Sequence, residues 1–155
     1  MKTISLVSSI VALTLWGAVP SHSEKPVDTF DPAAVESEIL AHVSAFNGRM
    51  AGVELWDSYF VESPRVGNIH NDRLTDLGWE QWHKSNVEFF SAPRAETVRF
   101  SDLQVHPIRR DLAWVSGEYS VTVDGKTRTS RFYDAMVRVD GRWGAFMSVV
   151  NSKKN

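Results

Sequence analysis

The 155-residue chain contains no cysteine. That excludes a disulfide framework, thiolate zinc sites and a cysteine nucleophile. Equally absent are a Gly-x-Ser-x-Gly elbow, a phosphate loop and a dinucleotide fingerprint, so nucleophilic hydrolysis, phosphoryl transfer and nicotinamide chemistry have no support. Lys and Arg number 17 against 19 Asp and Glu. With no basic run beyond Lys153-Lys154, nothing points to a nucleic acid. His42, His83 and His106 are scattered, and no pair has the close spacing of a local metal motif, so neither metal nor cofactor is expected. There is no internal repeat and no low-complexity stretch.

The one long apolar run is N-terminal. Lys2 precedes the run 4–19, and Pro20-Ser21-His22-Ser23 supplies small residues for cleavage. Residues 1–23 read as a secretory signal peptide, shorter in its apolar part than the ~20 residues of a spanning helix; an uncleaved anchor is the alternative. The mature chain would begin near Glu24, secreted or periplasmic and free of the membrane. Residues 24–30 form a polar lead-in, and 31–152 suffice for one globular domain with a real core.

The last third organises the rest. Asp124-Gly125 and Asp140-Gly141 each divide long runs rich in Val, Thr and aromatic residues, the signal of two-residue hairpin turns. Counting outward pairs Val123 with Lys126 and Val139 with Arg142. One face of the resulting three-stranded meander then holds Ala113, Val115 and Tyr119, next to Phe132, Asp134, Met136 and Arg138, next to Trp143, Ala145, Met147, Val149 and Asn151. Asp134 is the exception in its middle, between Val115 and Met147. A carboxyl so placed, without a cross-strand partner, has its pKa raised by burial. Arg138 falls opposite Asp111 as an ordinary ion pair. The opposite face, with Trp114, Val137, Val139, Phe146 and Val150, is more apolar than an open sheet face normally is, so a second copy of the chain is expected there as a homodimer partner.

Upstream, Asp31-Pro32 reads as an N-cap followed by proline at the first helical position, with Val35, Ile39, Val43 and Phe46 at helical spacing and Gly48 as a stop. A second short helix covers residues 53–60. Turn formers at Ser63-Pro64, Gly67-Asn68 and Asn71-Asp72 make an irregular hairpin over 60–74. A third helix capped by Thr75 or Asp76 carries Trp79 and Trp82 and ends before Pro93. Residues 97–106 alternate as a strand with a bulge near Ser101-Asp102, and Pro107 with Arg109-Arg110-Asp111 makes the turn into the meander. Helices early and a long antiparallel sheet late make an α+β domain, its helices on the Asp134 face.

The order of these elements, the Ser63-Pro64-Arg65-Val66 turn, the Trp-rich third helix and the Asp140-Gly141-Arg142-Trp143 turn before a long final strand together resemble the SnoaL-like branch of the nuclear transport factor 2-like superfamily, over residues 31–152. The resemblance implies a cone, three N-terminal helices packed on a curved, mostly antiparallel sheet, with a pocket at the wide end and frequent dimers through the outer face. It leaves function open, since the superfamily spans isomerases, dehydratases, cyclases and binding domains. Many SnoaL-like members place polar residues on the last strand where this chain has Met147 and Val149.

Asp134 is the candidate general acid or base; the plain alternative is that a neighbouring group satisfies it. His70, in the hairpin expected to rim the pocket, could shuttle a proton or be a solvated turn residue. Trp56, Tyr59, Trp79, Trp82, Tyr119 and Trp143 could line a pocket for a flat or apolar molecule, joined by Asn151, or fill core. Two readings follow: an exported protein that binds an apolar or aromatic small molecule, and an enzyme of the isomerase, cyclase or dehydratase kind working through Asp134.

Overall fold

In a computed structural model describing residues 30–91 and 96–152, Asp31 caps α1 (Pro32–Ser44), its carboxylate accepting from the Ala33 amide at 3.0 Å. The signal segment 1–23 and the lead-in up to 29 lie outside the described residues. Val35, Ile39 and Val43 form the buried stripe of α1. The chain then passes through α2 (Val53–Tyr59), β1 (Gly67–His70), β2 (Arg73–Leu77), α3 (Trp79–Phe89) and four long strands: β3 (Glu96–Arg109), β4 (Leu112–Val123), β5 (Lys126–Val139) and β6 (Arg142–Ser152). They form one six-stranded sheet in the order β2-β1-β6-β5-β4-β3, antiparallel except where β1 runs parallel to β6. Among the described residues, no helix is long and apolar enough to cross a membrane.

Both Asp-Gly pairs adopt positive φ at both positions, as two-residue turns matching the sheet twist require. The β4–β5 register is the expected one, including Val115 opposite Asp134 and Val123 opposite Lys126. Between β5 and β6 it holds from Val139–Arg142 to Met136–Ala145, and then Ala135 pairs with Met147. Phe146 is an extra, bulged residue, and a bulge turns every later side chain to the opposite face. Ser148, Val150 and Ser152 therefore point inward, and Met147, Val149 and Asn151 outward.

Other expectations need correction. The hairpin is shorter and later, turning at Asn71 and Asp72, both at positive φ. The N-cap of α3 is Gly78 at φ 87°, without a side-chain cap, so neither Thr75 nor Asp76 serves there. Pro107 lies inside β3, which an edge strand tolerates because one side of its backbone needs no donor. Arg138 pairs with Glu38 of α1 rather than with Asp111, whose partner is Arg109 at 3.2 Å. The bulge near Ser101 is present, with Asp102 at φ 52°.

The helices pack on the face that holds Asp134, as expected. The segment after α1 is stitched to β3: Asn47 both accepts from the Phe100 amide at 2.6 Å and donates to its carbonyl at 3.2 Å, and Ala51 N–H donates to the Glu96 carbonyl at 2.7 Å. That stitching covers part of an otherwise open sheet edge.

Candidate functional site

Tyr59 is the last residue of α2, and the chain leaves that helix by bonding to β6, Val61 N–H donating to the Ala145 carbonyl at 3.0 Å. Its ring is held on several sides, stacked on Phe100 with centroids 5.3 Å apart and edge-on to Phe46 at 5.1 Å and Trp56 at 5.8 Å. So fixed, the Tyr59 hydroxyl donates to Asp134 Oδ2 at 2.6 Å. Asp134 is 1% exposed, and its Oδ1 has no partner in hydrogen-bonding geometry among the described residues.

Burial pushes the Asp134 carboxyl up to about 6, while the Ser148 hydroxyl, across the strand and outside hydrogen-bonding geometry, and the Tyr59 hydroxyl bonded to it favour its charged form and hold it back. Tyr59 is driven above the ordinary phenol value, first by burial and then by the carboxylate beside it. The proton between them therefore stays on the phenol. Sequence reasoning left Asp134 without a cross-strand partner; the bulge supplies Ser148 opposite it, and a helix 75 residues away supplies Tyr59.

Asp134 lies on the wall of a cavity of about 880 Å³, open at one end. Rings of Trp56, Phe60, Trp82, Phe100, Tyr119 and Phe132 form much of its lining. Across the inner face the cross-strand partners Asp76, Asn68, Ser148 and Asp134 form one polar row through β2, β1, β6 and β5, and all four reach the cavity. Glu96, Tyr119 and Arg128 lie toward the other strands, and burial followed by the charge of Glu96 raises the Tyr119 phenol.

Of the expected pocket residues, Asp134, His70, Trp56, Trp82 and Tyr119 line this cavity. Tyr59 reaches it through Asp134. His70 is exposed at the rim and contacts Asn71; opposite Val150, it is two strands and two residues from Asp134, roughly 10 Å across the strands alone. It cannot exchange a proton with Asp134 directly. Trp79 stacks on Trp82 and His83 outside the lining, Trp143 donates to Glu38 at 3.1 Å at the closed end, and Asn151 faces outward beyond the bulge. Asp76, Asn86 and Ser148 are cavity residues that sequence reasoning missed. No cluster of three or more His, Asp or Glu able to hold a metal occurs among the described residues.

No protein-family model matches the sequence, and no curated protein does. Solved structures do match. A nuclear transport factor 2-like protein of unknown function from Shewanella oneidensis superposes with a TM-score of 0.59 at 12% identity, covering 77% of this chain and 95% of its own. A protein of that superfamily from Salmonella enterica serovar Typhimurium gives 0.54 at 14%, covering 79% and 88%. A protein from Novosphingobium aromaticivorans provisionally named a scytalone dehydratase gives 0.58 at 14%, covering 79% and 83%. At these identities the likeness is one of fold, and the fold is the nuclear transport factor 2-like α+β cone.

Proposed function

We propose that this is an exported, SnoaL-like small-molecule-binding protein whose cavity takes a flat apolar or aromatic ligand. The observation that carries the reading is the open cavity of about 880 Å³ walled by aromatic rings. Small-molecule sites are typically concave, mostly apolar and furnished with a few convergent polar groups, which here are the row from Asp76 to Asp134. Screening a broad apolar library by thermal shift, with native mass spectrometry for retained ligands, tests it. Stabilisation by aromatic members is expected; no shift and no retained molecule would overturn the proposal. Export rests on residues 1–23, and a secreted or periplasmic product whose mass starts near Glu24 is the expected form; retention of the N-terminal segment would contradict it.

A second reading, an isomerase, cyclase or dehydratase, is favoured by one observation: a buried carboxyl held near pKa 6 with Oδ1 unpartnered on the cavity wall. A general base poised near neutral pH is suited to take a proton from carbon next to a carbonyl. The provisional dehydratase name of one structural neighbour belongs to the same class of chemistry. Solvent deuterium should enter a bound ketone with the parent protein and not with Asp134→Asn; equal exchange in both removes Asp134 from any mechanism.

The outer sheet face is the proposed seat of a second copy. Trp114 and Tyr133, on neighbouring strands, are 47% and 44% exposed there.

A further inference from the structure

Asp76 is the one buried residue of β2, at 7% exposure, while Leu74 and Leu77 of the same strand stand in solvent at 57% and 55%. Burying the carboxylic acid and exposing the leucines inverts the usual pattern. No structural role accounts for it. Asp76 does not cap α3, and no hydrogen bond or ion pair reaches its carboxyl among the described residues. It faces the cavity instead, in the same cross-strand row as Asp134, whose Oδ1 is likewise unpartnered. The basic lining residues, His70 and Arg128, are exposed at the rim, whereas Asp76, Asp134 and Glu96 are buried, Glu96 with interactions of its own.

Two buried carboxyls with free oxygens, facing a chamber of aromatic rings, call for a ligand group that donates hydrogen bonds and carries positive charge. An ammonium does both. At Asp76, three strands from Asp134 and so roughly 14 Å away, it meets an unpartnered carboxyl. It is also attracted to ring faces such as those of Trp82 and Phe89 on α3 and of Phe90 just after it, which line the same cavity. We propose that the ligand is an aromatic or apolar amine, bound in its protonated form with the nitrogen at Asp76. The inference rests on the cavity being a small-molecule site and adds the charge of its occupant. Asn86 Nδ2, buried without a partner on the same lining, calls for an acceptor atom elsewhere on that molecule.

Calorimetric titration at pH 7.5 with three matched probes tests the assignment: 2-(1-naphthyl)ethylamine, the near-isosteric 2-(1-naphthyl)ethanol, and 1-naphthylacetate. The amine should bind at least tenfold more tightly than the alcohol, and the acid weakest. Asp76→Asn, or Asp76→Ser should the first variant fold poorly, should abolish the preference for the amine and leave the alcohol within about twofold of the parent. If the alcohol binds as well as the amine, or if both Asp76 variants keep the preference, the amine assignment is wrong while the cavity reading stands. If none of the three binds, the cavity reading falls and takes this inference with it.

Discussion

Asp134 is held in a site that opposes its own charge. Raised from 3.8 to about 6, its carboxyl binds its proton more tightly folded than unfolded. The unfolded state thus binds fewer protons between about pH 4 and 6, and stability falls as pH rises through that window. Above it the buried charge costs about 3 kcal/mol. Asp134→Asn keeps an acceptor for Tyr59 and carries no charge. Urea unfolding should therefore find the variant about as stable as the parent near pH 4 and more stable by about 1–3 kcal/mol at pH 7.5; a difference that does not change with pH would mean the site does not disfavour the carboxylate. Tyr59→Phe removes a donor that favours the charged form, so the Asp134 titration followed by carboxyl NMR should move above 6.

Among the elements, the junction of α2 with β6 controls the site. Gly144 lies beneath the end of α2, where an added Cβ would meet Val61 Cγ1 at 2.8 Å and the backbones of Phe60 and Tyr59 at 3.3 Å. Gly144→Ala should lower stability by about 1–3 kcal/mol through overpacking and, by lifting Tyr59, raise the Asp134 titration as Tyr59→Phe does; unchanged urea curves would show that α2 gives way freely. The same junction marks where the sequence stopped being legible. The β4–β5 register followed from Asp124-Gly125 residue by residue, because a two-residue turn leaves no slack and the burial of one face forbids slippage. From Asp140-Gly141 the count was right for four pairs and failed where Phe60 and Val61 come down on Ala145, a contact that no local pattern announces. Asn151 was misplaced for that reason, and Ser148 was missed. The isolation of Asp134 on an apolar face could be read from alternation alone, whereas the partner from α2 could not. Asp76 was hidden differently: it read as a cap of the third helix, whereas it lies in β2, where the register shift opposite Asn68 and Ile69 sets it on the other face from Leu74.

At the scale of the molecule, the cone is closed at one end, where Glu38 of α1 meets Arg138 and Trp143, and open at the other, where His70, Phe89 and Arg128 ring the cavity. The helices occupy the inner face, and the apolar surface left on the outer face is the seat proposed for a second copy of the chain. Trp114 and Tyr133 lie diagonally across two strands, close enough for their rings to act as one patch. Sedimentation at micromolar concentration should find a dimer that Trp114→Glu dissociates without loss of fold; a monomeric parent would leave that face without its proposed occupant.

The bulge at Phe146 has a further consequence for how such a cavity changes over time. The outer half of β6 holds two interleaved linings, Ser148, Val150 and Ser152 in one and Met147, Val149 and Asn151 in the other, and one unpaired residue selects between them. Paired without the bulge but with Phe146 kept, the strand would exchange the two sets together, withdrawing the Ser148 hydroxyl from Asp134 and placing a thioether and an isopropyl group in the chamber, whereas deleting Phe146 would remove the bulge and keep Ser148 opposite Asp134. A slip of one residue in the pairing of β6 thus separates a polar-floored pocket from a greasy one on the same scaffold, and the contact of α2 on Ala145 that fixes the bulge also fixes which of the two the cavity presents.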